Sequence, residues 1–182
     1  RRMCIRDRVR TCPAPEFVII PLVGRWGRNP EPVVKKGDGV LRFQLLAKDH
    51  DGYSSPIHSP VSGTVEDIRE MPQVDGTKVL SIIIQNDRRN TEVHNPLGGF
   101  DTASPDGLLK LIEAAGIVGL GGAQFPTALK YTITNKPVET IIIDGVECEP
   151  YLTTDDALMS QSTGELLQGI RIAEHETRTK RK

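Results

Sequence analysis

Up to about residue 85 the apolar positions come in short runs cut by turns: VVKKGDGV, SSPIHSPVSGTVEDI and KVLSIII. Short apolar runs bounded by Gly, Pro and Asp predict the strands of a small sandwich or barrel. Lys36, Gly37 and Asp38 predict a tight turn between Val34 and Val40. Pro56, Pro60 and Gly63 divide the next stretch into pieces that suit corners better than a central strand. Residues 79–84 (VLSIII) form a β-branched run long enough for a buried strand.

From residue 86 to about 101 the chain is polar and glycine-bearing, with little periodicity, as expected of a linker. Beyond it the period becomes helical. Ser104 is placed to cap a helix with Pro105 at its first position, Leu108, Leu109, Leu111, Ile112 and Ala115 share one face, and Gly116 ends it. Residues 125–131 predict the start of a short helix. Residues 138–143 (VETIII) are apolar on both faces, which predicts a strand of a parallel sheet. An acidic loop follows at 144–151. Thr154 is expected to cap a helix whose first turn holds Asp155 and Asp156, and the pair Ser162 and Glu165 to start another running toward His175. The second half therefore reads as α/β.

Charge adds little to this division. With 23 basic against 24 acidic residues, no field favours nucleic acid or an anionic surface. The basic residues gather at the ends, Arg1, Arg2, Arg6, Arg8 and Arg10 at one and Arg178, Lys180, Arg181 and Lys182 at the other, where solvated termini are the simplest expectation. No apolar stretch approaches the roughly 20 residues of a membrane-spanning helix, and the chain is expected to be soluble and intracellular. Cys4, Cys12 and Cys148 are too scattered for a disulfide framework or a metal knuckle, as are His50, His58, His94 and His175 for a zinc signature. A chain of 182 residues that opens without Met and closes in a charged helical run has the look of part of something longer.

The chemistry-bearing feature is the run GLGGAQFPTALK at 119–130. Gly116, Gly119, Gly121 and Gly122 let backbone N–H groups approach an anion without side-chain interference. A helix start after such a loop favours phosphate, and Lys130 lies early enough in that helix to reach the same group. An ordinary glycine turn feeding a helix has the same pattern. The loop DGVECEP, leaving the expected strand at 143, offers Glu147 and Glu149 two residues apart. Carboxylates there suit ribose hydroxyls and amides better than phosphate. A solvated acidic loop is the alternative. Cys148 between them has no neighbouring base and reads as packing.

GLGGAQFPTALK followed by IIIDGVECEPYLTTDDALM resembles the RnfC family of Rnf-type electron transport complexes, a relative of the NADH-oxidising flavoprotein of respiratory complex I. The likeness runs over about residues 31–174, and EPVVKKGD and SSPIHSPVSGTV are similar to that family's barrel-sandwich module. The resemblance implies an α+β two-part chain. Residues 1–14 stay unassigned and look foreign to the family, 15–86 form a lipoyl-like β barrel-sandwich hybrid, 87–103 a linker, and 104–182 the start of an incomplete α/β, Rossmann-like FMN- and NADH-binding domain. It places FMN phosphate and ring contacts on Gly119, Gly121, Gly122 and Lys130, with Asp144 and Glu147 near the flavin and Phe125 and Glu149 at NADH. No side chain is required as acid or base, because the cofactor carries the chemistry. The implied setting is peripheral, on the cytoplasmic face of a bacterial inner membrane, with the other proteins of the complex as partners and ferredoxin as indirect redox partner.

The chain departs from the family pattern at several points. Gln124 replaces a small residue within GAGFPT, Asp144 replaces an Asn and adds a negative charge, and Phe43 stands where a glycine is usual. No C-x-x-C-x-x-C run exists to ligate the two 4Fe-4S clusters that the family carries. Two other readings follow: a cobalamin reductase of the propanediol-utilisation type, which shares the β module and glycine loop, and a non-catalytic assembly module with a degenerate flavin loop.

Overall fold

A computed structural model describes residues 11–24, 26–49, 53–94, 104–120, 122–132 and 138–177. The basic clusters at the two ends, Cys4, His50 and Gly121 lie outside the described residues.

The first half folds as two small antiparallel sheets. β1 (Phe17–Pro21), β2 (Glu31–Pro32), β3 (Gly39–Val40), β4 (Leu45–Lys48), β5 (Ile57–His58), β6 (Gly63–Pro72) and β7 (Lys78–Asn86) arrange as β1-β7-β6-β3 and β2-β4-β5. β7 is central, paired to β1 on one side and β6 on the other. That position explains its β-branched run. Ile82 and Ile84 point into the core with Leu22, Val40, Leu46, Ala47, Val61 and Val65, and Ile83 is buried on the opposite face. The expected turn at Lys36 to Asp38 forms: the Asp38 amide donates to the Lys35 carbonyl at 3.1 Å and the Asp38 carboxylate accepts from the Lys35 amide at 2.9 Å. The proline-broken segment yields only two-residue β5 before Gly63 opens β6.

Phe43 adopts φ 67°, the left-handed backbone for which glycine is the usual residue. The turn it serves is intact. The Phe43 amide donates to the Ser59 carbonyl at 2.7 Å, and the Gln44 amide donates to Leu41 at 3.1 Å. Within the polar stretch after β7, the Arg42 amide donates to the Thr91 carbonyl and the Val93 amide to the Arg42 carbonyl. That part of the stretch lies along the β module.

The second half is helical: α1 (Pro105–Ala114), α2 (Thr127–Thr132), α3 (Thr154–Gln161) and α4 (Thr163–Thr177). Ser104 caps α1, its hydroxyl accepting from the Gly107 amide at 3.2 Å, which supplies one of the helix's orphan donors with a partner. Leu108 and Ile112 of α1 bury against Ala128 of α2, with Leu109, Tyr131 and Ile172 packed around them. Burial lifts the Tyr131 hydroxyl pKa, and the Glu176 carboxylate adds to the shift. Leu111, expected on the buried face, is exposed.

Two expectations are corrected. Residues 138–143 form no strand, and Ile142 and Ile143 are exposed. A parallel strand buried on both faces needs flanking strands, and the described residues after α1 provide none. The N-cap of α3 is Thr153 rather than Thr154, and its side chain makes no capping hydrogen bond.

The halves meet where α1 ends. Gly116 sits at φ 67°, and a Cβ there would collide with the Pro56 carbonyl oxygen and stand 3.4 Å from His58 Nδ1. Only glycine satisfies both the left-handed C-terminal turn and this approach. The seam encloses a cavity of ≈ 90 Å³ lined by Pro56, Leu109, Glu113, Ile117, Pro126 and Leu129. That is well below the roughly 300 Å³ at which ligand pockets begin.

Candidate glycine-loop site

The glycine run folds as a closed turn between α1 and α2. Val118 bridges Pro126, the Gly119 amide donates to the Phe125 carbonyl at 3.0 Å, and the Thr127 amide donates to Ile117 at 2.9 Å. These bonds pinch the base of the loop and send the chain straight into α2. Gly122 at φ 88° and Gln124 at φ 51° both take left-handed backbone within it. Around Gly122 an added Cβ would meet nothing within 4 Å, so the backbone there is open to a ligand.

Lys130 closes the mouth of this turn. A Cβ on Gly119 would lie 3.2 Å from Lys130 Nζ, so the ammonium stands directly over the glycine. Lys130 is exposed, and no carboxylate among the described residues pairs with it. An unneutralised ammonium above a bare glycine backbone is suited to an oxyanion. The Gly119 amide is committed to Phe125, so the donors left for an anion come from the open tip and the lysine. α2 has only six residues and adds little dipole.

The acidic loop is built differently from expectation. Asp144 Oδ1 accepts from the Val146 amide at 2.9 Å, a local turn that Asn makes equally well. Glu147 Oε1 accepts from the Asp155 amide at 2.7 Å and the Asp156 amide at 3.2 Å. Glu147 thus caps α3, the role that Thr153 leaves open, and its charge complements the positive helix start. Glu149 is exposed, and its carbonyl accepts from the Leu152 amide at 3.3 Å. Of the residues singled out by sequence, the structure brings Gly119, Gly122, Phe125 and Lys130 into one turn. Asp144, Glu147 and Glu149 form a second group, and no hydrogen bond or ion pair joins the two groups among the described residues.

Trp26 is a member of the site that sequence reasoning misses. It lies just after β1, yet its indole Nε1–H donates to the Ala123 carbonyl at 2.7 Å and its ring meets Phe125 edge-on with centroids 5.4 Å apart. The only sequence signal is that the chain has one tryptophan, and nothing local ties that residue to a loop almost one hundred positions away.

Two family models match the chain: the RnfC barrel sandwich hybrid domain over residues 1–89 and the Nuo51 FMN-binding domain over residues 112–182. The first match takes in residues 1–14, which by sequence patterning look foreign to the family, so that expectation is corrected. The chain is 39% identical over 162 residues to the C subunit of the Na(+)-translocating ferredoxin:NAD(+) oxidoreductase complex of Acetobacterium woodii, covering 87% of this chain and 37% of that protein. It is 44% identical over 170 residues to the C subunit of the ion-translocating oxidoreductase complex of Pectobacterium carotovorum, covering 92% of this chain and 23% of the relative. The corresponding protein of Rhodobacter capsulatus is 40% identical over 168 residues, 90% of this chain and 32% of its own length. The chain thus spans about a quarter to a third of the length of these relatives. Over the residues it spans, with a barrel-sandwich module followed by an FMN-binding-type domain, the chain belongs to the RnfC family, the C subunits of ion-translocating oxidoreductase complexes.

Proposed function

We propose that this chain holds the phosphate end of FMN in an NADH-linked electron-transfer protein, with the phosphate received by the glycine turn at 119–122 and by Lys130. The observation that carries this reading is the Lys130 ammonium standing over Gly119 without an ion-pair partner among the described residues. The residues present fit a phosphate: a bare backbone at Gly122, a cation, and no carboxylate bonded to either among the described residues. Bound FMN would supply hydride acceptance from NADH and one-electron release. The chain's own part is to bind and orient.

Phe125 and Glu149 are assigned to NADH, and Asp144 and Glu147 to the flavin side. The second pair reaches that role only if the acidic loop keeps its turn while its free carboxylate oxygens face the ligand. Gly121, outside the described residues, is assigned to the FMN phosphate in this reading. An α/β, Rossmann-like continuation would supply the strands that residues 138–143 lack here. The 4Fe-4S clusters have no ligand run in this chain, so electrons would leave toward clusters held elsewhere in a membrane complex, with ferredoxin as the eventual partner. No helix among the described residues is long and apolar enough to cross a membrane, and the place assigned to the chain in this proposal is peripheral, on the cytoplasmic face. Because Glu147 is engaged in capping α3, the assembly-module reading keeps one specific support.

The deciding test is a titration of the purified chain with FMN, followed by flavin fluorescence and thermal midpoint. A saturable change that weakens on Lys130→Ala supports the flavin reading. No change in either signal up to the solubility of FMN rejects it in favour of an assembly module.

A further inference from the structure

Two contacts from Trp26 bracket one strained residue. The indole N–H holds the Ala123 carbonyl, and the ring holds Phe125 with planes at 75°. Between these anchors stands Gln124 at φ 51°. An L-residue persists in left-handed backbone only where its surroundings over-determine it. The Gln124 side chain is exposed and makes no hydrogen bond among the described residues that could hold the turn, so the restraint comes from its neighbours. The grip continues inward through the backbone, because Phe125, whose ring meets Trp26, also offers the carbonyl that accepts the Gly119 amide, and Gly119 lies beneath Lys130. Trp26 is itself presented by a short turn in which the Gly24 amide donates to Asn29 Oδ1 at 3.0 Å.

We propose that Trp26 is a positioning residue through which the barrel-sandwich module clamps the glycine turn on both sides of Gln124 and keeps it in its anion-receiving form. The β module is then a working part of the candidate flavin site rather than a separate docking unit. The clamp acts on residues 123 and 125 without itself touching the ligand. Its consequence for FMN rests on the function proposed above, whereas its effect on the turn does not.

The test compares the chain with Trp26→Ala, Gln124→Gly and the double substitution. The first measurement, made without flavin, is amide hydrogen exchange at Gly119 and Thr127, whose N–H groups close the loop. Trp26→Ala is expected to speed both about tenfold, from loss of one hydrogen bond and one aromatic pair, while β7 amides keep their protection. Glycine enters left-handed backbone without strain, so Trp26→Ala should change exchange by only about threefold or less when made on Gln124→Gly. The second measurement is FMN affinity, expected to fall about tenfold in Trp26→Ala and less in the double substitution. Unchanged loop exchange, equal effects in both backgrounds, or uniform loss of protection through β7 would each overturn the clamp. So would altered exchange with unaltered FMN affinity. If the unsubstituted chain takes up no FMN, the flavin reading falls, and the exchange data alone decide the clamp.

Discussion

Lys130 and Gly119 face one another across the glycine turn, the ammonium 3.2 Å from where a Cβ on Gly119 would stand. This pairing sets the first prediction. Lys130→Ala removes a charge-assisted partner and should weaken FMN binding by about 1–3 kcal/mol. Gly119→Ala places a methyl against the far end of a flexible side chain, which can swing aside, so its effect should be smaller and the fold should be kept. Flavin-fluorescence titration ranks the two. Equal affinity in Lys130→Ala and the parent would remove Lys130 from the site.

Glu147 offers a test of a different kind, because its carboxylate accepts two amides at the start of α3. Glu147→Ala should cost roughly 1 kcal/mol of stability, the usual loss when a helix loses its N-terminal acceptor, and Glu147→Gln less, since an amide oxygen still accepts. Chemical denaturation reads the cost, and circular dichroism reads the fraying of α3. A large loss of FMN affinity with no change in stability would instead place Glu147 at the ligand.

How much of this is legible in the sequence depends on how local each determinant is. The turn at Lys36 to Asp38 and the Ser104 cap depend on three or four adjacent residues, and both form as expected. The glycine run announces itself through composition. Two features do not. A strand at 138–143 requires partners far along the chain, so an apolar run specifies burial without specifying what it pairs with. The Trp26 contacts with Ala123 and Phe125 join modules through tertiary packing that no periodicity encodes. Glu147 lies between these cases: its acidic loop is visible in the sequence, but its engagement with α3 depends on how the chain folds back.

Phe43 occupies left-handed backbone at φ 67°, and the Arg42 guanidinium lies 4.6 Å from its ring centroid. Phe43→Ala keeps the backbone strain and loses the ring contact, so it should lower stability by about 0.5–1 kcal/mol. Phe43→Gly loses the same contact but relieves the strain, and should be about 1 kcal/mol more stable than Phe43→Ala. Urea midpoints at equal slope decide the order. An alanine variant as stable as the glycine variant would mean that the turn relaxes around the substitution.

His58 makes the seam between the halves sensitive to pH. Desolvation lowers its pKa below the ordinary value of 6.5, so the folded chain takes up this proton at lower pH than the unfolded chain does. Between the two values the unfolded state binds more protons, and stability rises with pH. The full stability is therefore present above about pH 6.5 and declines as pH falls toward the folded pKa. Asp75 and Asp87 act elsewhere on the scale. The Thr77 hydroxyl and amide hold the Asp75 pKa below 3.8, and the Ser62 hydroxyl followed by the Arg89 amide holds that of Asp87 below the same value. Their contributions are lost only as pH drops through those lower values. Denaturation midpoints between about pH 7.5 and about pH 5 should thus fall with pH in the parent chain and fall less in His58→Gln, which cannot gain the charge. Parallel curves for the two proteins would show that protonated His58 is accommodated at the seam without cost.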